Sequence, residues 1–246
     1  MRQRLEFRGS WMDIFGATLL MALICIITLG IGTPWAYVHY RKTILGHTYY
    51  NEQLLQFDGS GGQLFVHMLV IFLFTLITLG FYAMLGFANV RILRWDAEHT
   101  ILPNSQRLEF RGQALSLFGQ LLLVGLLTMI TLGIYSFWGY VRIRRWVVSN
   151  LYVGDAALEY TGTGGQFFGV VIVNLLLTLI TLGFYAFLGF ATKRELVWDC
   201  ENTLLPSPYQ PQPQPSGGTP AYPGVPPVNV TVNVNQPPTP PVFPQR

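Results

Sequence analysis

Ile27-Thr28-Leu29-Gly30 ends a long apolar run, and the same four residues end three more: Ile77-Thr78-Leu79-Gly80, Ile130-Thr131-Leu132-Gly133 and Ile180-Thr181-Leu182-Gly183. A glycine fixed at one place in four apolar runs marks backbone that leaves the helical region, since glycine alone takes positive φ without steric cost. The threonine beside it can bond a carbonyl that the interrupted helix releases. Thr28, Thr78, Thr131 and Thr181 with Gly30, Gly80, Gly133 and Gly183 are therefore read as a repeated helix-turn motif.

Landmarks on both sides of the motif keep the same spacing. Gly9, Gly59, Gly112 and Gly162, each in a Phe/Tyr-x-Gly, lie 21 residues before the motif glycines, and Arg41, Arg91, Arg144 and Arg194 lie 11 after them. A larger period contains this one. The stretch QRLEFRG from Gln3 returns from Gln106, FDGSGGQLF from Phe57 returns as YTGTGGQFF from Tyr160, and RWDAEHTILP from Arg94 returns as VWDCENTLLP from Val197, always offset by 103. The chain thus divides into a first unit over 1–103, a second over 104–206 and a tail over 207–246, with two quasi-repeats in each unit.

Of the 246 residues, 51% are apolar and 11% charged, against about one quarter charged in soluble domains. The apolar runs begin near Ile14, Leu64, Leu115 and Phe167 and reach the ~20 residues that cross a bilayer. Arg2, Arg4 and Arg8 ahead of the first run imitate a secretory signal, but the pattern recurs from Arg107, so it is taken as structure. Cys25 and Cys200 sit in dissimilar settings and imply no disulfide framework.

Charge placement bears on topology. If each quasi-repeat crossed the membrane once, ten of the fifteen basic residues would be inside and five outside; if each entered, turned at Thr-Leu-Gly and returned, all fifteen would be cytoplasmic, as the positive-inside rule favours. Arg41, Arg91, Arg144 and Arg194 then become cytoplasmic interface cations that attract anionic lipid headgroups. The distances are awkward. Twenty residues could span ~30 Å on the way in, whereas eleven cover only ~16 Å on the way back. The expectation is an all-α polytopic membrane protein of four helical hairpins, with short β-like cytoplasmic connections and both termini cytoplasmic. Four single crossings kinked at glycine are the alternative. Gly86, Gly139 and Gly189, with Ala36 in the first copy, are expected to let the two arms pack closely.

Polar groups inside the runs are few. His67, Gln120 and Asn174 are read as packed or interhelical hydrogen-bonding side chains, and Asp96, Glu98, Asp199 and Glu201 as wet helix ends beside Trp95 and Trp198. No constellation of carboxylates, histidines or nucleophile suggests catalysis, a metal or a cofactor, and headgroup attraction accounts for the basic clusters without nucleic acid. After Pro206 the chain becomes Pro-rich, which suggests a disordered tail able to engage a cytoplasmic protein partner; it contains VNVTVNVNQ, a period-two run. The preferred reading is a structural or interaction protein without enzymatic activity, and the second a transporter, channel or lipid-handling protein.

The units EFRGS…TLG and FDGSGGQLF…LITLGFYAMLGFANVR resemble the YjgN-like family of bacterial inner-membrane proteins, over about Leu5 to Pro206. The resemblance implies a multi-pass inner-membrane protein and supplies no substrate or catalytic residue. The first copy departs from the pattern, with Gly32 where Tyr82, Tyr135 and Tyr185 stand in the others.

Overall fold

The computed structural model describes residues 2–206; the tail expected over 207–246 lies outside the described residues. The first half runs β1 (Arg2–Phe7), α1 (Trp11–Ile27), α2 (Thr33–Leu45), β2 (Thr48–Tyr50), β3 (Gln53–Leu54), β4 (Gln56–Phe57), α3 (Gly61–Ile77), α4 (Phe81–Met84), α5 (Phe87–Glu98) and β5 (Thr100–Ile101). The second runs β6 (Leu108–Phe110), α6 (Ala114–Ile130), α7 (Ser136–Ser149), β7 (Leu151–Val153), β8 (Ala156–Ala157), β9 (Glu159–Tyr160), α8 (Gly164–Ile180), α9 (Phe184–Phe187), α10 (Phe190–Glu201) and β10 (Thr203–Pro206).

This corrects the expected fold class in two respects. The chain is not all-α: its connections pair into three antiparallel sheets, ordered β3-β2-β1-β10-β9, β4-β5 and β6-β7-β8. Segments such as Thr48-Tyr49-Tyr50, with its buried–half-buried–buried pattern, favour an extended backbone with one face inward. Nor does it have spanning helices, because among the described residues no helix is long and apolar enough to cross a membrane. The four long arms have 17 residues each, about 25 Å at 1.5 Å per residue, against ~30 Å of hydrocarbon.

The apolar runs are shorter as helices than as letters because the turn consumes their middle. At each turn a leucine and then a glycine take left-handed backbone: Leu29 at φ 50° and Gly30 at 87°, with Leu79, Leu132 and Leu182 and their glycines alike. Gly30 N–H donates to Cys25 O at 2.8 Å, the six-to-one bond of a Schellman ending. Space is not the constraint at Gly80, where an added Cβ would meet nothing within 4 Å; its φ of 93° is.

The returning arms come in two kinds. α2 and α7 are continuous, whereas Gly86 and Gly189 adopt φ of 83° and 82° and split the second and fourth arms into α4 with α5 and α9 with α10. Close packing of arms at a small residue is found at Gly139, where an added Cβ would lie 2.4 Å from Val124 Cγ1. Gly86 and Gly189 instead approach the next hairpin, at Ala114 O and at Ile14 and Phe15. In that way α5 meets α6 and α10 meets α1, and the four hairpins close into a ring. β1 seals the same junction by pairing with β10.

Burial is concentrated at the strand end. Aside from Asn174, the buried residues of the long arms fall in their first two turns: Ile14 and Ala17, Gly61 and Leu64, Ala114 and Leu117, Gly164 and Phe167. The far ends are bare, and the four turn leucines are the extreme, at 91, 89, 94 and 90% exposed for Leu29, Leu79, Leu132 and Leu182.

Candidate functional site

Each turn is held by its threonine from both sides. The hydroxyls of Thr28, Thr78, Thr131 and Thr181 donate to the carbonyls of Ile24, Phe74, Leu127 and Leu177 at 2.6–2.8 Å. The same oxygens accept the main-chain N–H of Gly32, Tyr82, Tyr135 and Tyr185 at 2.8–3.0 Å. One side chain thus fastens the end of one arm to the start of the next. The accepted proton is main-chain, so Gly32 serves as well as the tyrosines elsewhere.

The four evenly spaced arginines do not share one environment. Arg41 on α2 forms a two-pronged ion pair with Asp96 on α5, its Nε donating to Oδ1 at 2.7 Å. Arg144 on α7 does the same with Asp199 on α10, at 2.8 Å. Such forked pairs fix direction as well as charge. Each carboxylate also accepts a phenol: Tyr37 Oη donates to Asp96 at 3.0 Å and Tyr160 Oη to Asp199 at 3.1 Å. The donors come from different elements, α2 in one half and β9 in the other. Where Tyr160 stands, the first half has Phe57, with the Arg41 guanidinium 5.8 Å from its ring centroid.

Both pairs line one central cavity of about 300 Å³, whose remaining wall is largely aliphatic, with Cys200 at one side. Burial opposes the charge of Arg144, yet the adjacent Asp199 carboxylate and its hydrogen bond outweigh it and leave the guanidinium above its ordinary pKa. Burial, then the nearby Asp199 carboxylate, pushes the Tyr160 phenol above its ordinary value. The Cys200 thiol is raised to about 12, first by burial and then by Asp199, so at neutral pH it is a protonated, weak nucleophile. With each charge paired and the thiol silent, the centre is suited to locking hairpins together.

Arg91 and Arg194 instead line two separate grooves. Arg91 lines a groove of about 850 Å³ with Arg94 and Arg111, and its Nε is buried without a hydrogen-bond partner. Arg194 lines a smaller groove, about 550 Å³, with Arg4 and Glu201. Of the polar residues within the apolar runs, His67 Nδ1 lies 3.0 Å from Gln63 O in its own helix and its ring faces Trp95. Gln120 Oε1 accepts from Arg142 Nε at 2.7 Å, and Asn174 Nδ2 donates to Ala191 O at 3.3 Å and Glu195 Oε1 at 3.2 Å.

Sequence reasoning missed the roles of Asp96 and Asp199, whose side chains are only 17% and 13% exposed. A signal was present: both acids lie 55 residues beyond an arginine of the repeat, and only the second and fourth copies carry them.

Comparison with known proteins gives the geometry a lineage. The chain is 35% identical over 75 residues to "Inner membrane protein YjgN" of Salmonella typhimurium strain LT2. The match covers 30% of this chain and 19% of that relative's length. No solved structure matches. A family model matches residues 2–74, 105–168 and 156–207, taking in most of both repeated units and bearing out the resemblance to YjgN-like proteins. These matches cover well over half of the chain, and on that ground the chain belongs to the family described as "Bacterial protein of unknown function (DUF898)".

Proposed function

We propose that the chain is an inner-membrane protein whose four hairpins enter the bilayer from the cytoplasmic face and turn back within it. The strand-built base and both termini remain on the cytoplasmic side. Its work in this reading is structural: a non-catalytic ring that holds a patch of membrane and offers its base to cytoplasmic proteins.

The four turn leucines carry the reading. Left-handed backbone costs a leucine about 1–2 kcal/mol, and in water an asparagine or glycine would serve better. Four nearly naked leucines in that conformation are reasonable where the surroundings are lipid, since full burial of such a side chain returns about 2 kcal/mol. Depth agrees. Arg41 and Arg144 stand eight residues into α2 and α7, about 12 Å along a helix, close to the ~15 Å of one leaflet's hydrocarbon. The inner-membrane name of the Salmonella relative supports the same location.

Nitroxide labels test the depth. Placed at position 29, 79, 132 or 182 in vesicles, they are expected to collide readily with oxygen and poorly with a water-soluble nickel complex, while labels at Asn51 show the reverse. Equal access to nickel at the turn positions would overturn insertion. Labelling of a cysteine at position 51 by an impermeant reagent outside intact cells would overturn the orientation.

A further inference from the structure

The groove beside α5 has features that a purely structural ring does not need. Its water end gathers three guanidinium groups, Arg91, Arg94 and Arg111, against one lining acid, Glu98. Arg111 is engaged by Glu109 at 2.7 Å, but Arg91 and Arg94 form no ion pair among the described residues. The Arg91 Nε, itself closed off from solvent, has no hydrogen-bond partner, a state that normally costs about 1–3 kcal/mol.

The start of α6 faces the same space. Gln113, Ala114 and Leu115 line the groove, and Gln113 makes no side-chain cap, so the first amides of a 17-residue helix are open toward it. The other three long arms are closed at this position by capping boxes from Ser10, Ser60 and Thr163. Open amides and a cation cluster in one cavity make a receptor for a phosphate oxygen. Toward the turn end the wall becomes apolar, with Tyr82 and Phe87. A free phosphate has no use for that wall, whereas an acyl chain does.

We infer that this groove seats one anionic phospholipid, its phosphodiester between Arg91, Arg94 and the α6 amides and a chain along Tyr82 and Phe87. The smaller groove of the other half is the internal contrast. Its cations are Arg4 and Arg194, and α1, which meets α10 at that junction, is capped by Ser10 with Asp13 in its first turn. The inference deepens the membrane reading above and rests on it for the source of the lipid.

Native mass spectrometry of the full chain in maltoside detergent tests it, with phosphatidylglycerol, diacylglycerol and inorganic phosphate as separate probes. One phosphatidylglycerol is expected to be retained well ahead of any others, and diacylglycerol not at all. Each arginine near a headgroup is worth about fivefold, so R91Q/R94Q is expected to weaken the first site about 25-fold. Gln113→Asp supplies the missing cap, keeps the helix, and is expected to weaken lipid binding as its carboxylate occupies the amides; R194Q leaves the first site unchanged. Unchanged retention by both groove variants would overturn the site. Inorganic phosphate competing at concentrations comparable to the lipid would overturn the lipid as occupant. Flotation with neutral vesicles keeps the two readings apart: failure to float sinks the membrane reading, while flotation with no lipid preference at the groove sinks only this one.

Discussion

At the scale of single residues, the two forked pairs at the centre set what the ring tolerates. Removing one partner strands the other charge in a mostly apolar cavity, which typically costs about 3–5 kcal/mol, whereas removing both is far milder. Asp199→Asn is therefore expected to destabilise by about 3 kcal/mol, at the lower end because the Arg144 side chain keeps 34% of its exposure. Adding Arg144→Gln should recover part of the loss, as read from thermal unfolding in detergent; a double variant no better than the single one would show that the pair is incidental. The turn threonines differ in kind. Their bonds are short, local and repeated, so the motif is legible from Thr-Leu-Gly alone, while the left-handed φ of the leucine between threonine and glycine leaves no mark in the residue type.

At the scale of elements, close approach decides which glycines are irreplaceable. A Cβ on Gly164, at the start of α8, would lie 2.2 Å from Trp138 Cδ1 on α7, and the indole also stacks on Phe168, centroids 5.9 Å apart. Gly164→Ala is expected to cost about 1–3 kcal/mol by overpacking, while Gly165→Ala next to it, with nothing within 4 Å, should be neutral or slightly stabilising through helix propensity. Parallel melting curves decide this, and equal curves would mean that the tryptophan yields freely. The same reasoning explains why the small residues of the returning arms could not be sorted beforehand. Gly139 and Gly86 occupy the same place in the repeat, yet one admits a valine and the other breaks its helix; composition is blind to that difference.

At the scale of the whole molecule, the ring closes only if the first strand meets the last. Arg4 and Leu204 are partners in the β1–β10 register, with side chains ~5 Å apart at Cβ in such a pair. In a chain whose native Cys25 and Cys200 are replaced by alanine, cysteines at positions 4 and 204 should oxidise within one molecule and shift its mobility on a gel. Reaction only between molecules would sink the closed ring. By itself the sequence determined where the chain turns and how often, because each turn is built from bonds spanning at most five residues and from a backbone conformation that glycine invites. It overstated the length of the arms, since an apolar run carries no mark of where helix ends and turn begins, and the long arms stop at 17 residues. Only the tertiary structure decided which arginines pair at the centre and which line the grooves. Four cations at one spacing are equal until helices distant in the chain bring acids to two of them, and that choice belongs to packing across the ring.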